Sequence, residues 1–503
     1  MSDSKYTVWV RATSIKVFPG SEAMYPLDHL IELLTYDDEF TEETKCLGYI
    51  YDSEEDALYF HKGIDLNYLR RTLGDVTFKD DSYHPFRPMK FKYEEIVAPR
   101  NDEQVDVINF IAGLNQHSDN LDKRQLFLVK APGFGKTFCA GVGSCLYGVR
   151  TLIIMHHDDL RGQWLNSLYN MSGLGKKDVH EITSSEELYK IATSNLKLDY
   201  DVYLMTHATF RAGLKRIGNL KLAQNISKNL GIGMKIIDEA HLEFRDTITM
   251  DCVFNIKRNL YLTATDGRSA KEENRIFRHV FANTLYYKPS SLLSENIPKK
   301  WVNYVAVAVN THVKQSTYKY RIVGGKGMNA PIYGRWVIKN DKNNIHFKCC
   351  TELIRQLYQE DEHAKVLVFM PLIDLCEECA FWINKHLAYD KNFQFDLSIK
   401  TINSSNSKHE NEMNKRADVI ITTIQSAGTG TDIPGITDII CCSPFVSKIT
   451  AQQVMGRIRY IPKVCHYYDI YDTSVQMDIF WLRSRIKKFK TIAKSVNYLT
   501  FDE

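Results

Sequence analysis

A glycine-rich segment, residues 131–137, carries the clearest chemical signal in the chain. It reads Ala-Pro-Gly-Phe-Gly-Lys-Thr and lies one residue after the apolar run Leu126–Val129. A buried strand that ends in a glycine turn presents backbone N–H groups beside the positive end of the next helix, and such a turn binds phosphates. Lys136 would reach the β- and γ-phosphates, and the Thr137 hydroxyl would bind Mg²⁺. The alternative is an ordinary strand–turn–helix, since Lys130 stands where the motif has a small residue.

Two adjacent carboxylates, Asp238 and Glu239, follow a second apolar stretch at Met234–Ile237. The carboxyl ends of parallel strands form the edge at which open α/β folds bind ligands. Asp238 can complete the Mg²⁺ shell that Thr137 begins, and Glu239 can polarise the water that attacks the γ-phosphate. The alternative is a solvated acid pair after a core strand, and the upstream phosphate loop favours the catalytic interpretation.

Two arginines, Arg457 and Arg459, lie close to Gly456 far downstream of this loop. An arginine that reaches the γ-phosphate during transfer contributes about 10³–10⁵ in rate in enzymes that use one. Without the other motifs these residues would be an ordinary helix surface. They lie far from the phosphate loop in sequence, as expected if a second domain supplies the arginine to the nucleotide.

The order of these motifs resembles that of superfamily 2 helicases and translocases, and the Asp-Glu-Ala-His sequence at 238–241 is similar to their DEAH box. The resemblance implies an α/β fold with two RecA-like parallel-sheet domains, and ATP and Mg²⁺ as cofactors. It implies the catalytic residues Lys136, Asp238, Glu239, Arg457 and Arg459. It implies the ATP-binding residues Gln104, Pro132, Gly133, Phe134, Gly135, Lys136, Thr137, Gly430, Asp432 and Gln453, with Gln104 reading adenine.

The same resemblance implies further roles outside the nucleotide site. It assigns Mg²⁺ binding to Thr137 and Asp238, and coupling of hydrolysis to movement to His241, Thr263 and Thr265. It places contacts to the nucleic-acid backbone at Thr206 and His207. Residues 453–459 resemble motif VI of the family, but they depart from its pattern, because Tyr460 stands where the second arginine is usual and Arg459 lies one residue earlier.

A narrower resemblance is to phage-encoded helicases that remodel forks and drive branch migration. It rests on the chain length, the DEAH form of the acidic motif and the N-terminal segment. It implies a function in replication, recombination or repair, and a location in the host-cell cytoplasm if the protein is phage-encoded.

Residues 314–342 combine basic and aromatic side chains. Seven cations stand against one acid, Asp341, and four aromatic residues lie among them. Cations can neutralise phosphates while rings stack on exposed bases. We predict a β-hairpin with a glycine-rich tip at 324–327, and Lys319, Arg321, Tyr333 and Trp336 as nucleic-acid contacts. The alternative is a solvated hairpin with a half-buried aromatic face.

Length and composition indicate a globular protein of several domains. At 503 residues the chain exceeds what one core normally supports, and 44% hydrophobic with 25% charged residues is typical of soluble proteins. We predict an N-terminal α/β accessory domain over 1–90 that contacts DNA, a first RecA-like domain over 91–298, and a second over 299–503 that ends in a helix. The net charge of +3 is too small to indicate nucleic-acid binding by itself. The absence of a long apolar stretch predicts no membrane partner, and eleven cysteines, an odd number that includes adjacent pairs, favour a reduced, cytoplasmic setting. We expect a monomer.

The sequence therefore predicts an ATP-dependent DNA helicase that translocates on branched DNA and unwinds or remodels it. A double-strand DNA translocase would use the same motor without separating strands, and the motifs alone do not distinguish the two. An RNA helicase is a further alternative, because contacts to the backbone carry no sequence readout. A nucleotide-gated clamp with little turnover is a third possibility, which the shortened motif VI keeps open.

Overall fold

The computed structural model divides into two compact units, Met1–Asn296 and Ile297–Glu503, and each is treated separately. The structure describes residues 4–38, 43–46, 48–82, 85–114, 125–130, 133–158, 160–264, 271–288, 301–314, 316, 329–427, 433–445, 448–458 and 463–501.

The N-terminal part of the first unit contains both strands and short helices. The strands are β1 (Tyr6–Arg11), β2 (Ser14–Phe18), β3 (Thr35–Asp38), β4 (Glu43–Cys46), β5 (Tyr49–Asp52), β6 (Ala57–His61) and β7 (Val76–Asp81). The helices are α1 (Gly20–Met24), α2 (Asp28–Leu33) and α3 (Leu66–Leu73). Within the described residues, five of these strands form a mixed sheet in the order β5-β6-β2-β1-β7, and β3 pairs with β4.

The rest of the first unit is built around a parallel sheet. Its strands are β8 (Gln125–Val129), β9 (Thr151–Met155), β10 (Val179–Glu181), β11 (Val202–Thr206), β12 (Met234–Ile237), β13 (Arg258–Thr263) and β14 (Leu285–Tyr286). Its helices are α4 (Asp102–Ala112), α5 (Lys136–Tyr147), α6 (Leu160–Asn166), α7 (Ser185–Ala192), α8 (His207–Ile217), α9 (Leu220–Leu230), α10 (Phe244–Val253) and α11 (Lys271–Val280), with a π-helical turn at Ser167–Met171. The strand order in the described part is β10-β11-β9-β12-β13-β8-β14.

The second unit is also built on a parallel sheet. Its strands are β15 (Val302–Val309), β16 (Val366–Met370), β17 (Ile399–Ile402), β18 (Val419–Thr423), β19 (Asp438–Cys441), β20 (Cys465–Asp472) and β21 (Ser495–Thr500). Its helices are α12 (Ala330–Trp336), α13 (Ile345–Glu360), α14 (Ile373–Ala388), α15 (Lys408–Asn414), α16 (Ile424–Ala427), α17 (Lys448–Met455) and α18 (Gln476–Ile492), with a 3₁₀ turn at Ile338–Asn340. Among the described residues the order is β17-β18-β16-β19-β20-β15-β21. The two parallel sheets confirm the predicted fold class.

Local sequence explains why these elements form. The central strands β9 and β16 are apolar runs that are buried along their whole length, as expected for parallel strands covered by helices on both faces. Several helices begin at capping residues whose side chains accept a backbone N–H, as Asn101 does for α4, Ser184 for α7 and Asn219 for α9.

The N-terminal sheet shares a hydrophobic core with the parallel sheet of the first unit. Val8 and Phe60 belong to the same buried cluster as Tyr261 and Phe281. Polar contacts join the same surfaces, since the guanidinium of Arg11 donates to the carbonyl of Cys252 at 2.7 Å. The N-terminal sheet is therefore packed into the first unit through both apolar and polar contacts.

The prediction of a β-hairpin over residues 314–342 is wrong for the part that the structure describes. Residues 330–336 form α12, and a 3₁₀ turn follows at Ile338–Asn340. The side chain of Asn329 accepts the backbone N–H of Ile332 and so caps the helix, and a proline at the start of the helix favours the same conformation. The glycines at 324–327 lie outside the described residues.

Candidate nucleotide site and nucleic-acid surface

The phosphate loop connects the end of β8 to the start of α5. Gly133 and Gly135 have φ angles of +78° and +96°, which L side chains adopt only at a cost. The ammonium of Lys136 donates to the carbonyl of Lys130 at 3.0 Å, so the lysine lies back across the loop. The loop thus leads into the N-terminus of α5, which is the arrangement that binds phosphates.

Two side chains hold this loop by hydrogen bonds, that of Arg100 just before α4 and that of Gln104 within it. The guanidinium of Arg100 donates to the carbonyls of Gly133 at 3.0 Å and Phe134 at 2.8 Å. The Gln104 amide donates to the carbonyl of Phe134 at 2.6 Å and accepts the backbone N–H of Arg100 at 2.8 Å. Gln104 is 1% exposed, so its visible role is to hold the loop, and its reading of adenine stays a prediction. Sequence reasoning missed Arg100, whose only signal is its position shortly before Gln104.

Asp238 lies at the carboxyl end of β12 and is almost completely buried. Its Oδ2 accepts the indole N–H of Trp164 at 2.9 Å, and its Oδ1 accepts the backbone N–H of Glu239 at 3.0 Å. Burial raises the pKa of Asp238, while the charge of Lys136 and the hydrogen bond from Trp164 oppose that rise. The influence of Lys136 on this carboxyl links the acidic motif to the phosphate loop.

Glu239 adopts an unusual backbone conformation for a residue with a side chain. Its φ angle is +49°, in the left-handed region that costs a non-glycine residue about 1–2 kcal/mol. Its Oε2 lies 3.3 Å from Nδ1 of His241, and the same nitrogen lies 2.8 Å from the hydroxyl of Thr263 at the end of β13. Strained residues of this kind are concentrated at functional sites. The structure therefore brings together three residues predicted for catalysis and coupling.

The donor set at this edge fits Mg²⁺. Thr137 offers a hydroxyl oxygen and Asp238 a carboxylate oxygen, which are the hard ligands that Mg²⁺ prefers. Among the described residues no group of three or more His, Cys, Asp or Glu side chains could hold a metal ion, so nucleotide phosphates and water would supply the other ligands. Bound between these residues and ATP, Mg²⁺ would neutralise charge on the β- and γ-phosphate oxygens.

The predicted nucleic-acid contacts near β11 are largely buried. Thr206 is 6% exposed, and its hydroxyl accepts the backbone N–H of Thr209 at 3.1 Å as the cap of α8. His207 is 0% exposed, and burial lowers its pKa to about 3. The prediction that His207 contacts nucleic acid is wrong, because the first turn of α8 directs this side chain into the core. The hydroxyl of Thr206 is engaged in the cap of α8.

In the second unit, Tyr333 was also expected to contact nucleic acid, and this prediction is wrong. The ring is 0% exposed, and its hydroxyl lies 2.9 Å from Nε2 of His346. Burial raises the pKa of the Tyr333 phenol well above its ordinary value. Trp336 is half-buried and packs against the same core. The contact of Trp336 with nucleic acid therefore stays a prediction.

The remaining predicted residues differ in how far the structure describes them. Arg457 is half-buried just after α17, and its backbone N–H donates to the carbonyl of Val454 at 3.1 Å. The residues outside the described part of the chain are Pro132, Thr265, Lys319, Arg321, Gly430, Asp432 and Arg459, together with the side chain of Gln453. Their roles stay predictions.

Comparison with known proteins gives matches in both units. Residues 97–268 match the family model of the type III restriction enzyme res subunit, and residues 346–460 match the helicase conserved C-terminal domain. These are the domains of a superfamily 2 helicase or translocase. These two helicase domains imply that the protein uses ATP and binds nucleic acid. In the described residues no helix is long and apolar enough to cross a membrane.

Individual relatives are distant in sequence. The transcript termination protein A18 of Fowlpox virus (strain NVSL) is 21% identical over 346 residues, which is 67% of this chain and 67% of that protein. Dbp5 of S. cerevisiae bound to RNA and ADP BeF3 superposes with a TM-score of 0.50 at 13% identity, over 75% of this chain and 85% of that one. The type ISP restriction-modification enzyme LlaBIII bound to DNA gives a TM-score of 0.52 at 15% identity, over 83% of this chain and 32% of that one. At these identities the two structures show a shared fold.

Substitution of Gly135 by Ala is expected to weaken ATP binding by roughly tenfold. An added Cβ would lie 2.6 Å from Nε2 of Gln104, and the left-handed backbone costs a non-glycine residue about 1–2 kcal/mol. Titration with a fluorescent ATP analogue measures the change. The matched control is Gly148→Ala at the other end of α5, where φ is +74° and the added Cβ would lie 3.9 Å from the carbonyl oxygens of Cys145 and Leu146. Equal losses in the two variants would contradict a local effect on the loop.

Proposed function

We propose that this motor is a DNA helicase that uses ATP to translocate on DNA and to unwind or remodel branched structures. The observation that carries the ATP-hydrolysing part of the proposal is the buried Asp238 beside the phosphate loop, with Glu239 next to it and joined through His241 to Thr263. In this proposal Lys136 binds the phosphates of ATP, and Glu239 orients the attacking water and accepts its proton. The coupling of His241 and Thr263 to movement is part of the same proposal.

The choice of DNA over RNA belongs to the proposal as well. One structural neighbour was solved with RNA and another with DNA, and the fold they share serves both. The match of residues 97–268 to the res subunit of a restriction enzyme, together with the likeness to a restriction-modification enzyme that was solved with DNA, supports DNA. We further propose that the protein acts in the host-cell cytoplasm, which the similarity to a Fowlpox virus protein supports. That it acts as a monomer stays a prediction.

The test is the rate of ATP hydrolysis with no nucleic acid, single strands, duplex, forks and four-way junctions, each as DNA and as RNA. We expect forks and junctions of DNA to stimulate turnover most, at least tenfold over the basal rate, and strand displacement to require ATP. Lys136→Ala serves as the control for contaminating hydrolase. Stimulation by RNA alone would overturn the choice of DNA, and tight binding with negligible turnover would favour the nucleotide-gated clamp. Stimulation by blunt duplex without strand separation would identify a double-strand translocase.

A second candidate function is release of the nascent transcript from a transcribing polymerase. The similarity to the transcript termination protein of Fowlpox virus is the observation that favours it. A stalled complex of RNA polymerase, DNA template and labelled transcript separates the two candidates. ATP-dependent release of RNA from that complex, with weak activity on free forks, would favour transcript release over fork remodelling.

A further inference from the structure

Two neighbouring residues of α6 contact both of the side chains that are predicted to bind Mg²⁺. The indole N–H of Trp164 donates to Oδ2 of Asp238 at 2.9 Å. The side-chain amide of Gln163 donates to the hydroxyl oxygen of Thr137 at 3.2 Å. One short helix therefore reaches a carboxylate at the end of β12 and a hydroxyl in the first turn of α5.

The strand order explains how these contacts arise. β9 lies beside β12 in the parallel sheet, with Ile154 opposite Ile237. α6 follows β9 after a short connection, so it begins at the same sheet edge at which Asp238 follows β12. Trp164 is 0% exposed and is part of the core under this edge, which fixes the position of its ring.

The hydrogen bonds define the orientation of the Asp238 carboxylate. Each oxygen accepts one donor, Oδ2 from Trp164 and Oδ1 from the backbone of Glu239. An ionised carboxylate has about four acceptor sites, so both oxygens keep capacity for a metal ion. The indole has a single N–H and no acceptor, and it can only donate at this point. The same logic applies to Thr137, whose hydroxyl oxygen keeps a lone pair when it accepts from Gln163.

We infer that Trp164 and Gln163 are positioning residues that orient Asp238 and Thr137 for the Mg²⁺ of Mg·ATP. The inference rests on the proposed function, because it concerns the metal of the same site. Outer partners that orient metal ligands typically contribute 10–100-fold to metal affinity. Trp164 holds the carboxylate by a buried hydrogen bond, and Gln163 holds the hydroxyl from the exposed side of α6.

The test is Mn²⁺ binding to the full-length protein in the presence of ADP, followed by electron paramagnetic resonance, together with ADP binding in EDTA. Trp164→Phe keeps most of the ring and removes the N–H donor. We expect it to weaken Mn²⁺ binding by about 10–100-fold and to leave metal-free ADP binding unchanged. The packing control is Leu168→Ala, a fully buried neighbour in the same core cluster, which removes apolar contacts without removing the hydrogen bond. Its Mn²⁺ affinity is expected to equal that of the unmodified protein.

Gln163→Leu provides a second variant in which folding is not at risk, because Gln163 is exposed. We expect several-fold weaker Mn²⁺ binding, with Asn166→Leu on the same helix as the exposed control. Unchanged Mn²⁺ affinity in both Trp164→Phe and Gln163→Leu would overturn the inference, and so would equal weakening in Trp164→Phe and Leu168→Ala. An unmodified protein that binds neither ADP nor Mn²⁺·ADP would instead overturn the proposed function, so the two failures are distinguishable.

Discussion

Replacement of Glu239 by Gln is expected to lower the rate of ATP hydrolysis by about 10²–10⁴-fold while ATP still binds. The glutamine side chain has nearly the same size, but it cannot accept a proton from the attacking water. The backbone N–H groups on either side of residue 239 donate to neighbouring strands, that of Asp238 to the carbonyl of Ile154 and that of Ala240 to the carbonyl of Leu262. We therefore expect the substituted side chain to keep its place. Single-turnover hydrolysis and equilibrium binding of a fluorescent ATP analogue measure the two effects separately.

Two further variants make this result specific. Lys136→Ala is expected to lose both the binding and the hydrolysis of ATP, because it removes the positive charge that is proposed to bind the phosphates. Glu243→Gln is the matched acid control, since Glu243 lies four positions further on and pairs with Arg211 at 2.9 Å and His156 at 3.3 Å. Its turnover is expected to stay near that of the unmodified protein. Normal hydrolysis in Glu239→Gln would contradict the assignment of this carboxylate.

Replacement of Asp251 by Asn is expected to destabilise the first unit by about 3–5 kcal/mol. Asp251 is fully buried and ion-paired to Lys235 on β12, and both side chains are 0% exposed. It also accepts the Tyr261 hydroxyl at 2.7 Å and lies 2.9 Å from Nε2 of His61 in the N-terminal sheet. The substitution leaves the ammonium of Lys235 buried without a counterion, and that loss is the dominant cost.

Calorimetric unfolding of the full chain measures this prediction, and the transition of the first unit is expected to fall by roughly 10 °C. Lys235→Met combined with Asp251→Asn also removes the unpaired ammonium, and it should recover much of the lost stability of the first unit. Glu186→Gln, which breaks an exposed pair with Lys190 on α7, is expected to leave the transition unchanged. A change in unfolding temperature as small for Asp251→Asn as for Glu186→Gln would contradict the stabilising role of the Asp251 cluster, which consists of Asp251, Lys235, Tyr261 and His61.

The Asp251 cluster also has a defined dependence on pH. Burial alone would raise the pKa of Asp251, but the charge of Lys235 and the hydrogen bond from His61 outweigh it and lower the pKa. A carboxyl whose folded-state pKa is depressed stabilises the protein above its unfolded-state pKa, and the contribution is lost as pH falls through the folded-state value. The difference in stability between the unmodified protein and Asp251→Asn should therefore shrink in acid.

The sequence by itself predicted the residue types that we propose for the nucleotide site. Glycines at 133 and 135, a lysine and a hydroxyl in the first turn of a helix, and two acids after an apolar strand are local patterns, and local backbone preferences are enough to place them. The apolar runs also determined the fold class, because strands buried on both faces need apolar residues throughout.

Only the tertiary structure decided which distant residues meet. Trp164 reaches Asp238 across 74 residues, and His61 reaches Asp251 across 190, because strand order and sheet packing bring them together. His207 on α8 and Tyr333 on α12 lie on the faces of these helices that pack into the core, where their rings cannot contact nucleic acid. Composition shows which side chains could bind a phosphate or a base, but burial depends on contacts that are formed by residues far away in the chain.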